Sequence, residues 1–308
     1  MANYENFCGY PAKKQNFNFT GEQHKMPKFG VNLLLWADKF DRETVELIPK
    51  VAEMGFDGVE IPIFDPETVD IPHTQAALKA TGLQVIGCNI MSPDRNPIDE
   101  DPGVRENAKA YLKRAIEIIA ELGGDTYVGP MYSAVGKLVG RGRNQQEWDW
   151  CVEGLQEVAE FAGKHGVTLA SEPLNRFETY FVNIAEDAVK LAEAVGSPYF
   201  KVHLDTFHMN IEEKNQGQAI LNTGAQLHHV HCCENDRGTP GTGLVPWDEV
   251  FGALAQLNYD RWLVIESFTP AVKEIAAATC IWRDIAPSAE SLAADGLAFL
   301  KKMAAQYL

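Results

Sequence analysis

The sequence predicts an α/β protein folded as a single domain, a (β/α)8 or TIM barrel. The chain has 308 residues, and such a barrel typically needs about 250 residues plus insertions. Short apolar segments alternate with amphipathic segments at helical spacing, which is the order of a parallel sheet covered by helices. Polar residues follow several of the apolar segments, at the strand ends where the active sites of barrels lie.

The alternation begins after a polar N-terminal arm, residues 1–26, and residues 27–308 form the barrel with its C-terminal helices. The predicted strands are residues 29–35, 58–63, 83–89, 125–130, 167–170, 200–205, 227–233 and 261–267. The predicted helices are residues 42–54, 66–80, 104–122, 146–165, 183–195, 206 to about 221, 246–257 and most of 271–308. Helix 104–122 is the clearest, because its apolar residues make one stripe.

The composition excludes several classes of protein. Lys and Arg number 27 against 43 Asp and Glu, a net charge of −16, and such a field repels nucleic acid. No apolar run approaches the roughly 20 residues of a membrane span, and the N-terminus lacks the apolar core of a signal peptide. The 6 cysteines are therefore expected as reduced thiols in the cytoplasm.

Four predicted strands in succession end in residues that can bind a metal. Strand five leads to Glu172, strand six to Asp205, strand seven to His231 and strand eight to Glu266. Neighbouring parallel strands lie about 4.8 Å apart, so these side chains are expected together at the barrel mouth. Three carboxylates and one imidazole suit Mn²⁺, Mg²⁺ or Co²⁺ better than they suit structural zinc.

Four segments also carry a family resemblance. EPLNRFE, VHLDTFHMNIEE, HVHCCENDRGTPGTG and VIESF resemble the ketose 3-epimerases, the D-tagatose and D-allulose 3-epimerase family of xylose-isomerase-like barrels. The resemblance implies a metal, most often Mn²⁺, bound by Glu172, Asp205, His231 and Glu266. It implies sugar oxygens held by Glu178, His208 and Arg237, and a homodimer or homotetramer.

Three further residues are candidates for substrate contact. Trp36 follows the first strand and can offer an aromatic wall to a sugar; Glu60, at the exit of strand two, can contact the sugar or support a metal ligand. Cys88 stands near the end of strand three. The first strand, NLLLW, and the loop AVGKLVGRGR depart from the family pattern, so substrate preference is left open. The histidines other than His208 and His231 are interpreted as packing or surface residues.

The predicted chemistry is epimerisation at C3 of a free ketose such as D-fructose, D-tagatose or L-ribulose. The C3 proton is acidic because the C2 carbonyl takes up charge, giving a metal-bound cis-enediolate stabilised by a Lewis-acidic cation. Inversion then needs a base on one face of C3 and an acid on the other. Glu172 and Glu266, from non-adjacent strands, can sit on the two sides.

Other functions use the same kind of barrel. An aldose–ketose isomerase, of the hydroxypyruvate- or rhamnose-isomerase type, would use the same metal and carboxylates between C1 and C2; the loop from Glu234 to Gly243 should decide which carbon faces them. An abasic-site endonuclease would need a basic groove, against which the −16 charge argues. A non-catalytic sugar-binding barrel would not need two opposed carboxylates.

Overall fold

A computed structural model of the chain describes residues 25–308; residues 1–24, and with them nearly all of the predicted N-terminal arm, lie outside the described residues. The strands in this range are β1 Lys28–Asn32, β2 Gly58–Pro62, β3 Gln84–Cys88, β4 Thr126–Gly129, β5 Thr168–Ser171, β6 Phe200–Asp205, β7 Leu227–Cys232 and β8 Trp262–Ile265. The α-helices are α1 Leu47–Glu53, α2 Ile71–Thr81, α3 Pro102–Glu121, α4 Gln145–Lys164, α5 Ala185–Val195, α6 Thr206–Glu212, α7 Gln216–Thr223, α8 Trp247–Gln256, α9 Lys273–Thr279 and α10 Ala289–Tyr307.

The eight described strands are parallel and close into a barrel in chain order, with β1 paired to both β2 and β8. The register sets Asn32 beside Glu60 and Asp205 beside His231. Because side chains alternate along a strand, the side chains of these four residues point into the barrel, towards the carboxyl ends of the strands. The predicted (β/α)8 barrel is thus confirmed.

Apolar residues fill the rest of the barrel. Inside, a small group of buried side chains packs together: Ile86, Cys88, Val128, Ala170, Trp262 and Val264. The Trp262 ring approaches β2 so closely that a Cβ at position 58 would lie 2.4 Å from it, which explains glycine there. Outside, the amphipathic helices pack on the strands around one large core.

β1 ends at Asn32, three residues before the predicted strand end. The side chain of Asn32 accepts a hydrogen bond from the N–H of Leu34 at 2.9 Å, and residues Leu33–Leu35 turn into a 3₁₀ helix. A side-chain oxygen that caps its own downstream backbone competes with the sheet ladder. This turn decides where Trp36 lies.

Two predicted helices are broken. The stretch 66–80 is a 3₁₀ turn, Pro66–Thr68, followed by α2, which Asp70 caps by accepting from the N–H of His73. The stretch after Asp205 is α6 followed by α7, which Asn215 caps by accepting from the N–H of Gln218. Asp and Asn favour such caps over helix interiors. None of the helices within residues 25–308 has the length and apolarity needed to cross a membrane.

Candidate active site

The four residues at consecutive strand ends converge on one point of the barrel mouth. One ligand atom from each of Glu172, Asp205, His231 and Glu266 can be chosen so that all four lie within 4.8 Å of one another. All four side chains are buried, with Asp205 and His231 essentially inaccessible to solvent. Burying three carboxylates together is costly unless a cation compensates their charge.

Part of that compensation comes from Arg237, in the loop after β7. Its Nη1 contacts Asp205 Oδ2 and lies 2.9 Å from Glu266 Oε2, while Nη2 lies 3.1 Å from Nε2 of His208. The guanidinium stacks over the ring of Phe207 at 4.1 Å. Arg237 therefore joins two of the four clustered residues to the cavity wall.

Glu172 differs from its neighbours because Arg237 does not reach it. Its Oε1 has no hydrogen-bond partner among the described residues; the nearest imidazole nitrogens are those of His208 at 3.7 Å and His231 at 3.9 Å. Burial, together with the Glu266 and Asp205 carboxylates, raises the pKa of Glu172 well above its usual value. Burial also acts to raise the pKa of Glu266, but His231 and Arg237 outweigh it and lower that pKa.

Glu60 holds His231 from below. Glu60 Oε1 lies 2.8 Å from Nε2 of His231, and Oε2 lies 2.9 Å from Nε2 of His229; Asn32 donates to Oε1 at 2.7 Å. Burial alone would raise the pKa of Glu60, but the imidazoles of His231 and His229 lower it to about 2. With Nε2 engaged by Glu60, the other nitrogen of His231, Nδ1, faces the three carboxylates at 3.3–3.9 Å.

This cluster fits a divalent cation. Glu172 Oε1 and His231 Nδ1 are buried without hydrogen-bond partners among the described residues. Their lone pairs are therefore free to bind a cation. Carboxylate oxygens with one imidazole are the donors that Mn²⁺ and similar ions take. The carboxylate behind the histidine is the usual support for a metal-binding imidazole.

A cavity of about 80 Å³ opens directly above the cluster. Glu172, His231 and Glu266 form its floor, and three of the predicted substrate contacts, Glu178, His208 and Arg237, form one wall. Cys88 also lines it. The remaining wall is mostly apolar, including Leu34, Phe64, Ile90, Leu174, Phe268 and Ile275.

His208 and Glu178 are held in place by one residue, Asn175. The backbone N–H of Asn175 donates to Nδ1 of His208 at 3.1 Å, and Nε2, on the other side of the ring, faces Nη2 of Arg237 at the cavity wall. Burial, with the nearby Arg237 and His231, lowers the pKa of His208 well below its usual value. The side-chain amide of Asn175 donates to Glu178 at 2.7 Å, so Arg176 pairs not with Glu178 but with Glu212.

Two predicted substrate contacts lie elsewhere. Glu60 is fully buried behind His231 and is separated from the cavity by it, because its carboxylate is taken up by His231, His229 and Asn32. Trp36 is carried outward by the turn after β1: its indole N–H donates to Glu290 at 3.1 Å, and Lys50 lies over its ring. Trp36 lines a separate depression beside α10.

Sequence reasoning missed three buried polar residues that support the cluster. Asn32 donates to Glu60 and lies 3.3 Å from Glu266; His229 pairs with Glu60; His203 packs edge-on against the His231 ring at 4.0 Å. The interpretation of His203 and His229 as ordinary packing residues overlooked the strand period of two. That period sets His203 on the face of Asp205, and His229 on the face of His231.

The chain matches the family model described as the xylose isomerase-like TIM barrel over residues 48–303. A ketose 3-epimerase of Arthrobacter globiformis is 34% identical over 283 residues, covering 89% of this chain and 96% of that protein. A D-psicose 3-epimerase of Ruminiclostridium cellulolyticum is 33% identical over 275 residues, covering 87% and 93%. The solved D-allulose 3-epimerase of Methylomonas sp. in complex with D-allulose superimposes with a TM-score of 0.87 at 28% identity, covering 91% of this chain and 98% of that one.

The match over most of the chain defines the class of protein, a xylose isomerase-like barrel enzyme. Within that class the chain belongs to the ketose 3-epimerase family, sugar epimerases of the isomerase class. The resemblance read from the sequence is confirmed.

Proposed function

We propose that this chain epimerises free ketoses at C3, interconverting pairs such as D-fructose and D-allulose or D-tagatose and D-sorbose, or acting on a ketopentose such as L-ribulose. The observation that carries the proposal is the pair Glu172 and Glu266, which face one cavity with Asp205 and His231 between them. Binding a neutral sugar would not require two buried carboxylates that face it, since buried charge is costly.

Glu172, Asp205, His231 and Glu266 would hold a divalent cation, for which we propose Mn²⁺, with Co²⁺ or Mg²⁺ as substitutes. Bound there, the cation would supply Lewis acidity at the C2 carbonyl and so make the C3 proton removable. His208 and Arg237, side by side on the cavity wall, would hold substrate oxygens and so fix C3 between the two glutamates.

The two glutamates then divide the proton transfers. One carboxylate takes the proton from one face of C3, and the other, as the acid, returns a proton to the opposite face. Because the reaction is reversible, each glutamate is the base for one epimer and the acid for the other. Replacing either by glutamine keeps the size of the side chain and removes the base, which should cost on the order of 10²–10⁴ in rate.

A free sugar suits the cavity better than a phosphorylated one. Of the described residues around the cavity, Arg237 is the only lysine or arginine, and its charge is shared by Asp205 and Glu266. The wall away from the cluster is mostly apolar. A phosphate there would be desolvated without a cation, which is strongly unfavourable.

Deuterium incorporation tests the proposal. A panel of ketohexoses and ketopentoses is incubated with the enzyme and Mn²⁺ in D₂O, and the products are separated by chromatography and analysed by NMR. We expect solvent deuterium at C3 of the product and none at C1, since the acid on the second face exchanges with solvent between turnovers. An aldose product labelled at C2, or recovered ketose labelled at C1, would indicate an aldose–ketose isomerase instead, and a product without label would indicate internal transfer.

A further inference from the structure

Arg237 depends on a loop whose backbone is unusual. The loop joins β7 to α8, and at its tip Arg237 has a φ of 65°, a left-handed conformation that is uncommon for a residue other than glycine. Such a conformation persists only where surrounding contacts enforce it. Several hydrogen bonds act on the tip. The N–H of Arg237 donates to the carbonyl of Glu234 at 2.9 Å, and the N–H of Glu234 donates to the carbonyl of Gly238 at 3.2 Å. The N–H of Gly238 donates to Asp236 at 3.0 Å.

The side chain of Glu234 lies at the centre of this loop. It is fully buried, and its carboxylate accepts from the N–H groups of Gly241 at 2.6 Å and Val245 at 3.1 Å and from the indole of Trp247 at 2.7 Å. All three donors are neutral N–H groups from the returning half of the loop and the start of α8. A residue near the start of the loop therefore fastens the second half of the loop and the first residue of α8.

The backbone packs closely around the carboxylate of Glu234. A Cβ at position 243 would lie 2.6 Å from Glu234 Oε2, and one at position 241 would lie 2.4 Å from the Phe299 ring. The glycines thus let the backbone close around the carboxylate. Because a buried carboxylate without its donors is costly, the closed form of the loop and the buried Glu234 stabilise each other.

We propose that Glu234 is the positioning residue that presents Arg237 to the active site. Its carboxylate closes the loop, the closed loop holds Arg237 in its left-handed conformation, and Arg237 then reaches Asp205, Glu266 and the cavity. Among the described residues the carboxylate of Glu234 makes hydrogen bonds only to Gly241, Val245 and Trp247, none of which lines the cavity, so its effect on the reaction passes through Arg237. This inference rests on the proposed function in that Arg237 binds the ketose.

A double-mutant cycle tests the coupling. Glu234→Gln, Arg237→Ala and the double variant are assayed with Mn²⁺ and the best ketose of the panel. Glutamine keeps the size of the side chain but sets an amide N–H₂ against N–H donors, so kcat/KM should fall on the order of tenfold to a hundredfold. In the Arg237→Ala background the same substitution should change kcat/KM by less than about twofold, because the residue through which it acts is gone.

Glu147→Gln is the matched control. Glu147 is also a buried carboxylate with three hydrogen-bond partners, Arg141, the N–H of Asn144 and the hydroxyl of Tyr180, but it stands at the start of α4. Its substitution should have the same effect on kcat/KM with and without Arg237. An equal loss from Glu234→Gln in both backgrounds, or no loss, would overturn the positioning role.

A failure of the proposed function can be distinguished from a failure of this inference. If the wild-type chain turned over no ketose, the C3-epimerase proposal would fall, and the same cycle measured on the free energy of unfolding in urea would decide whether Glu234 positions Arg237. A coupling between the two substitutions, equivalent to at least about a threefold change in the unfolding equilibrium, is expected there. Additive effects in urea would overturn the inference.

Discussion

Glu60 is the clearest example of a residue whose role is decided by its neighbours in the folded chain. As a carboxylate near a strand end it could contact a sugar, but its register beside Asn32 and its pairing with His229 and His231 set it beneath the cluster. A carboxylate in that position selects which imidazole nitrogen carries the proton. The nitrogen left to face the three carboxylates is Nδ1 of His231.

Glu60→Gln should therefore weaken metal binding. We expect Mn²⁺ affinity, measured by titration calorimetry, to fall about 10- to 100-fold, the usual cost of losing the partner of a metal-binding histidine. Glu147→Gln, which removes a buried carboxylate outside the site, should leave Mn²⁺ affinity unchanged. Wild-type affinity in Glu60→Gln would mean that Asn32 and the neighbouring rings hold His231 without it.

At the scale of elements, the start of α4 combines a cap with an ion pair. Asn144 accepts from the N–H of Glu147 at 2.9 Å, and Glu147 accepts from the N–H of Asn144 at 2.8 Å, a capping box. Arg141 makes two bonds of 2.9 Å to the same carboxylate. Burial acts to raise the pKa of Glu147, but the bonds from Arg141, Asn144 and Tyr180 outweigh it and lower that pKa below its usual value of 4.5.

The lowered pKa gives stability a pH dependence of known sign. Below pH 4.5 the unfolded chain binds a proton at Glu147 before the folded chain does, so this contribution is complete above that pH and is lost as the pH falls through the folded-state pKa. Urea unfolding at a series of pH values should show the difference between wild type and Glu147→Gln shrinking from pH 6 towards pH 3. A difference independent of pH would contradict the assignment.

The same capping box gives a second prediction at this scale. Asn144→Ala removes the side-chain acceptor at the start of α4, and the loss of such a cap typically costs about 1 kcal/mol of stability. Urea unfolding at neutral pH should show that loss, with the slope of the transition unchanged. Asn144→Asp keeps the acceptor and should retain most of the stability.

For the molecule as a whole, a bound cation would link the ends of four strands. Because it binds only the assembled barrel mouth, Mn²⁺ should raise the melting temperature, and chelation should reverse the effect; at a free concentration of a hundred times Kd the gain is about 2.7 kcal/mol. Asp205→Asn should abolish the shift. Asp187→Asn, which breaks a 2.8 Å ion pair with Arg143 away from the site, should lower the melting temperature but keep the shift.

The homodimer or homotetramer implied by the family resemblance stays a prediction, and so does the cytoplasmic location inferred from the cysteines and the N-terminal sequence. Light scattering of the purified chain would decide the first. A monomer would show that the barrel mouth is completed by residues of one chain.

Much of the architecture follows from the sequence alone. The alternation of apolar and amphipathic segments predicts the strand order, and for β6 it predicts both ends, residues 200–205. The positions of Glu172, Asp205, His231 and Glu266 also follow, because parallel strands of a barrel end on the same face and the residue at each end is visible in the chain.

The tertiary structure decides the contacts between distant residues, which the local sequence pattern does not contain. Closure of the barrel pairs β1 with β8, and only this brings Asn32 and Glu60, from the first two strands, beneath His231 of the seventh. The turn capped by Asn32 sends Trp36 away from the cavity, and the loop closed by Glu234 sends Arg237 into it. Strand periodicity gives the face on which a side chain lies, but its partners across the barrel depend on register and on loop closure, which are set by contacts between residues far apart in sequence.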